Sequence, residues 1–169
     1  MAGFLPLRHL GPANLSQTET DLERTVAFRG QYDYSLDAKN RLNVPPKFRA
    51  AFSGGLVLAK WLEPCVTIWT PEGFDAVTES YLATINPLSP ERRKLIRFFH
   101  HNSFDAELDA AGRVTLNPKL LEHAGIEREV IVAGNHDHVE VWDHRRWQAD
   151  QDELGSQIVE MAERIGDAS

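Results

Sequence analysis

The chain has 169 residues, 42% of them hydrophobic and 25% charged, with a formal net charge of −7 at pH 7. This balance excludes a chain disordered along its whole length and a uniformly basic nucleic-acid binder, and it leaves room for one domain or two small ones. The single cysteine, Cys65, has no internal disulfide partner, and neither a bilayer-spanning apolar run nor the basic-then-apolar order of a signal peptide is present, so a cytoplasmic location is expected.

Residues 1–27 mix Gly, Pro, Ser, Thr and charges without periodicity and are read as a flexible extension. A first unit follows over 28–84. Tyr32, Tyr34 and Leu36 alternate with polar residues, which is the period of a half-buried strand, and Leu42 and Val44 resume the alternation after a tight loop, Asp37 to Arg41. Pro46 then opens a short helix closed by Gly54-Gly55, and a hairpin pairs Leu56–Lys60 with Cys65–Trp69. A helix over Phe74–Leu82 ends the unit. A connecting helix occupies 85–101, with Ser89 as N-cap, Pro90 at its first position and an end near His100.

The second unit, 102–147, repeats this order. Phe104, Ala106 and Leu108 alternate, the loop Asp109 to Arg113 follows, and Val114 and Leu116 alternate again. Pro118 opens a helix that Gly125 caps, and Val130–Ala133 forms a hairpin with Val139–Trp142. A last helix, Arg145–Ile165, runs into the acidic segment 148–169, where six acidic residues oppose only Arg164. The segment from Phe28 to Arg49 has the opposite balance, with Arg29, Lys39, Arg41, Lys47 and Arg49 against Asp33 and Asp37. Much of the negative charge therefore lies in a tail, and a basic surface survives elsewhere.

The two units are copies. Leu36 to Phe48 reads LDAKNRLNVPPKF and Leu108 to Leu120 reads LDAAGRVTLNPKL, with six of thirteen positions identical at a constant offset of 72. Cys65 to Trp69 matches His138 to Trp142 at an offset of 73. Asn40 and Gly112 hold the fourth loop position, where both residue types tolerate the positive φ of a reversing chain. Asp37 and Asp109 suit the inside of such a turn, accepting backbone N–H groups and fixing the direction of Arg41 and Arg113. A guanidinium on a stiff loop can take guanine edges bidentately or bridge phosphates, so Arg41 and Arg113 are the candidate DNA-reading residues. Lys39 and Arg29 are candidates for phosphate contacts, which position without reading sequence. The competing interpretation is that each Asp-Arg pair is only an exposed intraloop salt bridge, which contributes little to stability. Repetition of both ends in two copies favours the DNA contact. Lys47 and Lys119, beside helix starts, are weak candidates.

With its two DxxxR motifs, Asp37-Ala38-Lys39-Asn40-Arg41 and Asp109-Ala110-Ala111-Gly112-Arg113, its Phe28-Arg29-Gly30 opening and its paired strand ends at Trp69 and Trp142, the sequence resembles the MraZ family over about Phe28 to Trp147. The resemblance implies an α+β fold, a tandem AbrB-like swapped-hairpin β-barrel in which two β-loop-β-α units pack as a pseudo-dimer with flanking helices. It also implies a DNA-binding transcriptional regulator of the division and cell wall gene cluster, expected to be a repressor. Such a protein would bind repeated boxes in double-stranded promoter DNA as a homo-oligomeric ring associated with the nucleoid. Two departures bear on this: family members usually start at the Phe-Arg-Gly segment, and the two motifs differ at Lys39/Ala111 and Asn40/Gly112, so the loops are expected to bind unequally.

Other chemistries fit less well. His136, His138 and His144 with Asp137 and Asp143 suggest metal-dependent hydrolysis, but Asn135 to His138 falls in an expected turn and the first copy has Leu62-Glu63-Pro64-Cys65 there. The Arg92, Arg93, Lys94 and Arg97 helix is read as the solvated side of a core helix, given Leu95, Phe98 and Phe99. No phosphate loop, nucleophile elbow or zinc motif is present, so no enzyme activity, metal or cofactor is expected. The rival from another class is an assembly or antitoxin-like module that binds a protein partner.

Overall fold

The computed structural model describes residues 27–167, and the expected flexible extension lies outside them except for Ala27. Eight strands and five α-helices are present among the described residues, giving an α+β fold. In chain order these are β1 (Gln31–Ser35), β2 (Arg41–Asn43), α1 (Pro46–Arg49), β3 (Leu56–Lys60), β4 (Val66–Trp69), α2 (Pro71–Leu82), α3 (Pro90–His101), β5 (Ser103–Ala106), β6 (Arg113–Thr115), α4 (Pro118–Ala124), β7 (Glu129–Asn135), β8 (His138–Asp143) and α5 (His144–Gly166). A 3-10 turn, Ala50–Phe52, extends α1.

Six strands form one sheet in the order β1-β7-β8-β4-β3-β5, every pair of them antiparallel, and β2 pairs with β6 in a separate ribbon. The two copies are interleaved. The first strand of each copy pairs with the hairpin of the other: Tyr32 stands opposite Val132, and Phe104 opposite Leu58. Exchanging equivalent strands reverses the sheet order and leaves it unchanged, so the copies are related by a pseudo-two-fold axis. That axis passes between β4 and β8, where the equivalent Thr67 and Glu140 face one another, and through the ribbon, where Leu42 faces Val114.

Alternation along the strands divides the buried residues into two cores. One sheet face sends Leu56, Leu58, Val66, Ile68, Val130, Val132, Val139 and Val141 inward to meet Leu42, Val44, Val114 and Leu116 of the ribbon region. Phe48, Phe52, Leu120 and Ala124 from α1, its 3-10 extension and α4 close that core. Phe28 seals one edge, stacked on Phe52 at 5.3 Å and edge-on to Phe48 at 5.2 Å. Its backbone pairs reciprocally with His136, which prolongs β1 along β7. On the opposite sheet face, Val57, Ala59 and Trp69 meet Phe74 of α2 and Phe99 of α3 around Trp61. Leu95 and Phe98 of α3 pack against this second core while Arg93, Lys94 and Arg97 are exposed.

Several elements differ from their sequence-based limits by a residue or more, β7 running on to Asn135 among them, and two differences have a clear local cause. Helix α2 starts at Pro71 rather than Phe74, because the Thr70 hydroxyl caps Gly73 N–H and Pro71 holds the first helical position. His138 is not part of a turn. It opens β8 and is buried, so the reversal is confined to His136 and Asp137, with His136 taking the positive φ of +61°.

Candidate nucleic-acid interface

Each DxxxR segment builds its loop by the same set of bonds. In the first, Asn40 N–H donates to Asp37 C=O at 3.0 Å, Asp37 N–H donates to Arg41 C=O at 3.2 Å, and Asp37 Oδ1 accepts the N–H groups of Lys39 and Arg41, both at 2.9 Å. The second repeats it: Gly112 N–H to Asp109 C=O at 2.9 Å, Asp109 N–H to Arg113 C=O at 2.8 Å, and Asp109 Oδ1 accepting from Ala111 and Arg113 at 2.9 Å. Such a turn needs a left-handed residue before the Arg, and Asn40 (φ +58°) and Gly112 (φ +77°) supply it.

The second carboxylate oxygen of each Asp holds the Arg. Asp37 Oδ2 accepts Arg41 Nε at 2.6 Å and Asp109 Oδ2 accepts Arg113 Nε at 2.9 Å. The backbone N–H of Arg41, above all, holds the Asp37 carboxyl down at about 2; burial, the next largest influence, opposes it, and the Arg41 side chain and the Lys39 N–H add to the lowering. Asp109 is lowered for the same reasons, led by the Arg113 N–H. Both carboxylates thus stay ionised, and an ionised Asp is what makes each Arg point one way. The expected salt bridges exist, but they engage the guanidinium through Nε. The Arg41 and Arg113 side chains remain 30% and 31% exposed, so neither is walled off from a ligand.

The fold brings the two loops side by side. Val44 N–H donates to Gly112 C=O at 3.1 Å and Leu116 N–H to Asn40 C=O at 2.9 Å, a reciprocal pair that flanks the β2–β6 ribbon. Arg113 Nη1 lies 4.0 Å from Asp37 Oδ2, across the pseudo-two-fold. Lys39 is exposed on the rim of the first loop. Arg29 is exposed as well, but it lies at the opposite end of β1, eight extended residues from Asp37 and so roughly 26 Å away at about 3.3 Å per residue. The structure does not bring it to the loops. Lys47 is drawn instead over the rings of Tyr32 and Phe48, at 4.9 and 5.3 Å from their centroids.

One basic residue joins the second loop without having been a candidate. Arg49, from the end of α1, donates through Nε to Val44 C=O at 2.9 Å and lies over Gly112, where a Cβ would collide with its guanidinium. In the repeat alignment Arg49 stands opposite Leu121, so comparison of the copies carries no signal for it. The first loop has a cation of its own in Lys39, whereas the second has Ala111 and borrows Arg49 from the other copy.

The histidines do not form a metal centre: among the described residues no group of three His, Cys, Asp or Glu side chains is placed to hold an ion. His138 is stacked on Trp69 at 4.1 Å, with Nδ1 2.7 Å from Asp137 Oδ1 and Nε2 3.2 Å from Glu140 Oε1. Burial opposes its protonation, but the hydrogen bonds to Glu140 and Asp137 outweigh it and raise its pKa. His144 lies apart, 3.5 Å from Asp33. Among the described residues no helix is long and apolar enough to cross a membrane.

Comparison with known proteins fits this geometry. The family model "MraZ protein, putative antitoxin-like" matches residues 27–97 and again 99–165, one match for each copy. Proteins named transcriptional regulator MraZ are similar over most of the chain. That of Parafrankia sp. (strain EAN1pec) is 37% identical over 141 residues, 82% of this chain and 96% of its own. That of Thermomicrobium roseum is 32% identical over 138 residues, again 82% and 96%. That of Limosilactobacillus fermentum is 33% identical over 135 residues, 80% and 94%. With both copies matched and relatives covered almost end to end, the chain belongs to the MraZ family.

Proposed function

We propose that this chain is a sequence-specific DNA-binding transcriptional regulator that meets double-stranded promoter DNA with the paired Asp37–Arg41 and Asp109–Arg113 loops. The observation that carries this reading is the placement of two partly exposed Arg side chains side by side across one pseudo-two-fold axis, each aimed by its own ionised Asp. Duplex DNA has local two-fold symmetry, so a two-fold related pair of cationic loops suits a box read from both strands. Lys39 and Arg49 add phosphate contacts, one at each loop. The interleaved strands read as the swapped-hairpin barrel of AbrB-like proteins, with each loop braced by the other copy. The relatives' names support a regulator of transcription. Repression of the division and cell wall cluster, repeated promoter boxes, a ring of subunits and a place at the nucleoid in the cytoplasm complete the proposal, and no catalytic step or cofactor belongs to it.

Gel retardation of the DNA upstream of the chain's own gene tests this. Arg41→Ala and Arg113→Ala should each weaken binding and the double variant should abolish it, with oligomer mass unchanged. Undiminished retardation by the double variant rules the loops out. The antitoxin-like description of the family model favours a second reading, a module that captures a protein partner. Full loss of DNA binding in the double variant with retained partner capture would separate the two.

A further inference from the structure

Helix α5 leaves the body of the molecule. Trp147 still touches it, meeting the Trp142 ring at 5.9 Å and donating to Gln31 Oε1 at 2.9 Å, but every residue from Gln151 to Asp167 is exposed. On this projecting part Gln151, Leu154, Ile158 and Met161 recur at alternating spacings of three and four, the seam of a two-stranded coiled coil. Gly155 lies in the middle, and among the described residues no other part of the chain comes within 4 Å of where its Cβ would stand. A glycine inside an exposed helix costs stability, and packing among the described residues gives no reason for it.

We infer that α5 pairs antiparallel with α5 of a second copy, forming an isologous contact centred between Leu154 and Ile158. Although the segment as a whole is acidic, a reciprocal Asp150–Arg164 match selects a second copy and the direction. In the antiparallel register Leu154 meets Ile158 of the second copy and Gln151 meets its Met161, each twice. The same register places Asp150 beside Arg164 of the other helix, again twice, and sets Gly155 opposite Gly155, where the missing side chains let the backbones approach. The basic base of the helix, His144 and Arg145, then lies toward the acidic tip with Glu163 and Asp167. A parallel pair would instead bring like ends together and leave Asp150 and Arg164 unmatched. This contact joins chains in twos, unlike the head-to-tail contact that closes a ring, so it is a separate surface.

The test uses the full chain carrying Gly155→Cys, oxidised at low protein concentration and read on a non-reducing gel, with Glu153→Cys on the opposite helix face as the control. Native Cys65 is fully buried, and the unsubstituted chain measures its background. Gly155→Cys should give mostly cross-linked dimer and Glu153→Cys little. Adding Asp150→Arg or Arg164→Asp alone should lower the Gly155→Cys yield several-fold, and the two together should restore it. Equal yields at positions 155 and 153, or no restoration in the double swap, overturn the proposal. So does a monomer whose Gly155→Cys thiol resists a maleimide, because another segment or partner then covers the helix. None of these readouts involves DNA, so their failure leaves the loop proposal untouched.

Discussion

A short Asp side chain does most of the structural work in each loop. Its two oxygens divide the task, one holding backbone N–H groups and the other the Arg Nε, which leaves the outer guanidinium nitrogens for a ligand. A carboxylate held this way titrates late: the Asp37 carboxyl carbon should show a midpoint of about 2 by NMR, and a midpoint near the ordinary 3.9 would break the account. The stabilisation it gives the folded loop is present above the unfolded pKa and is lost as pH falls through the folded one. His138 and Glu140 form a second, more deeply placed pair. Burial alone would raise Glu140, but hydrogen bonds from His138, Trp142 and Asn135 lower it. Since the His138 pKa is raised, its contribution is full below about 6.5 and fades as pH climbs through the folded value. His138→Phe keeps a ring against Trp69 and removes that titration. The stability gap between wild type and this variant, measured by urea unfolding, should therefore narrow from pH 6 toward pH 9, and a gap constant across that range would refute the assignment. At Gly112 the φ of +77° strains any L side chain, and a Cβ would also displace the Arg49 guanidinium that lies over it, so Gly112→Ala should destabilise by about 1–3 kcal/mol. Asn40→Gly, in the equivalent and already left-handed position, should cost far less in the same unfolding measurement.

Among the elements, the short β2–β6 ribbon holds the two loops in register. Its axial pair, Leu42 and Val114, is almost fully buried at 0% and 1% exposure. Leu42→Ala should cost about 2–5 kcal/mol in unfolding free energy and should also weaken DNA binding, because the ribbon carries both Arg residues. A variant that loses stability without losing affinity at a temperature where it stays folded would separate loop from ribbon. The elements themselves were largely legible in the sequence, since alternation around Tyr32–Leu36 and Phe104–Leu108 identifies half-buried strands, and Pro46, Pro118 and Gly125 mark helix ends. Their partners were not. Alternation says which face of a strand is buried but not which strand lies beside it, so the pairing of β1 with β7 and β5 with β3 had no local signature. Arg49 was hidden for a related reason: it reaches the other copy's loop, and nothing in its own segment marks that contact. The polar run Asn135–His138 has the composition of a turn, whereas the hydrogen bonds that let His138 enter a sheet come from Asp137 and Glu140 after folding.

At the scale of the whole molecule, interleaving makes the two loops one rigid unit, and its effect should appear in binding as coupling. If each loop bound independently, the free-energy losses of Arg41→Ala and Arg113→Ala would add. Because Arg113 Nη1 also leans toward Asp37 across the axis, at 4.0 Å, removing one Arg changes the electrostatic setting of the other, and the double-variant loss should depart from the sum. The unequal cations, Lys39 on one side and Arg49 on the other, should make the two single losses differ. In the proposed mode of binding, affinity from one pair of loops would be modest, and further gain would require several chains engaging several boxes at once. Linking binding events raises avidity by roughly 10²–10⁴ only where geometry lets the sites engage together. Boxes about 10 base pairs apart present the same face of the duplex to successive subunits. Inserting about 5 base pairs between two boxes turns one to the opposite face, and a further 5 restores it. Gel retardation across such a spacing series should show affinity falling at the half-turn insertion and recovering at the full turn, with each single box bound equally weakly throughout. Affinity that ignores the spacing would mean that one chain acts alone on each box, and the assembly would then have no part in recognition.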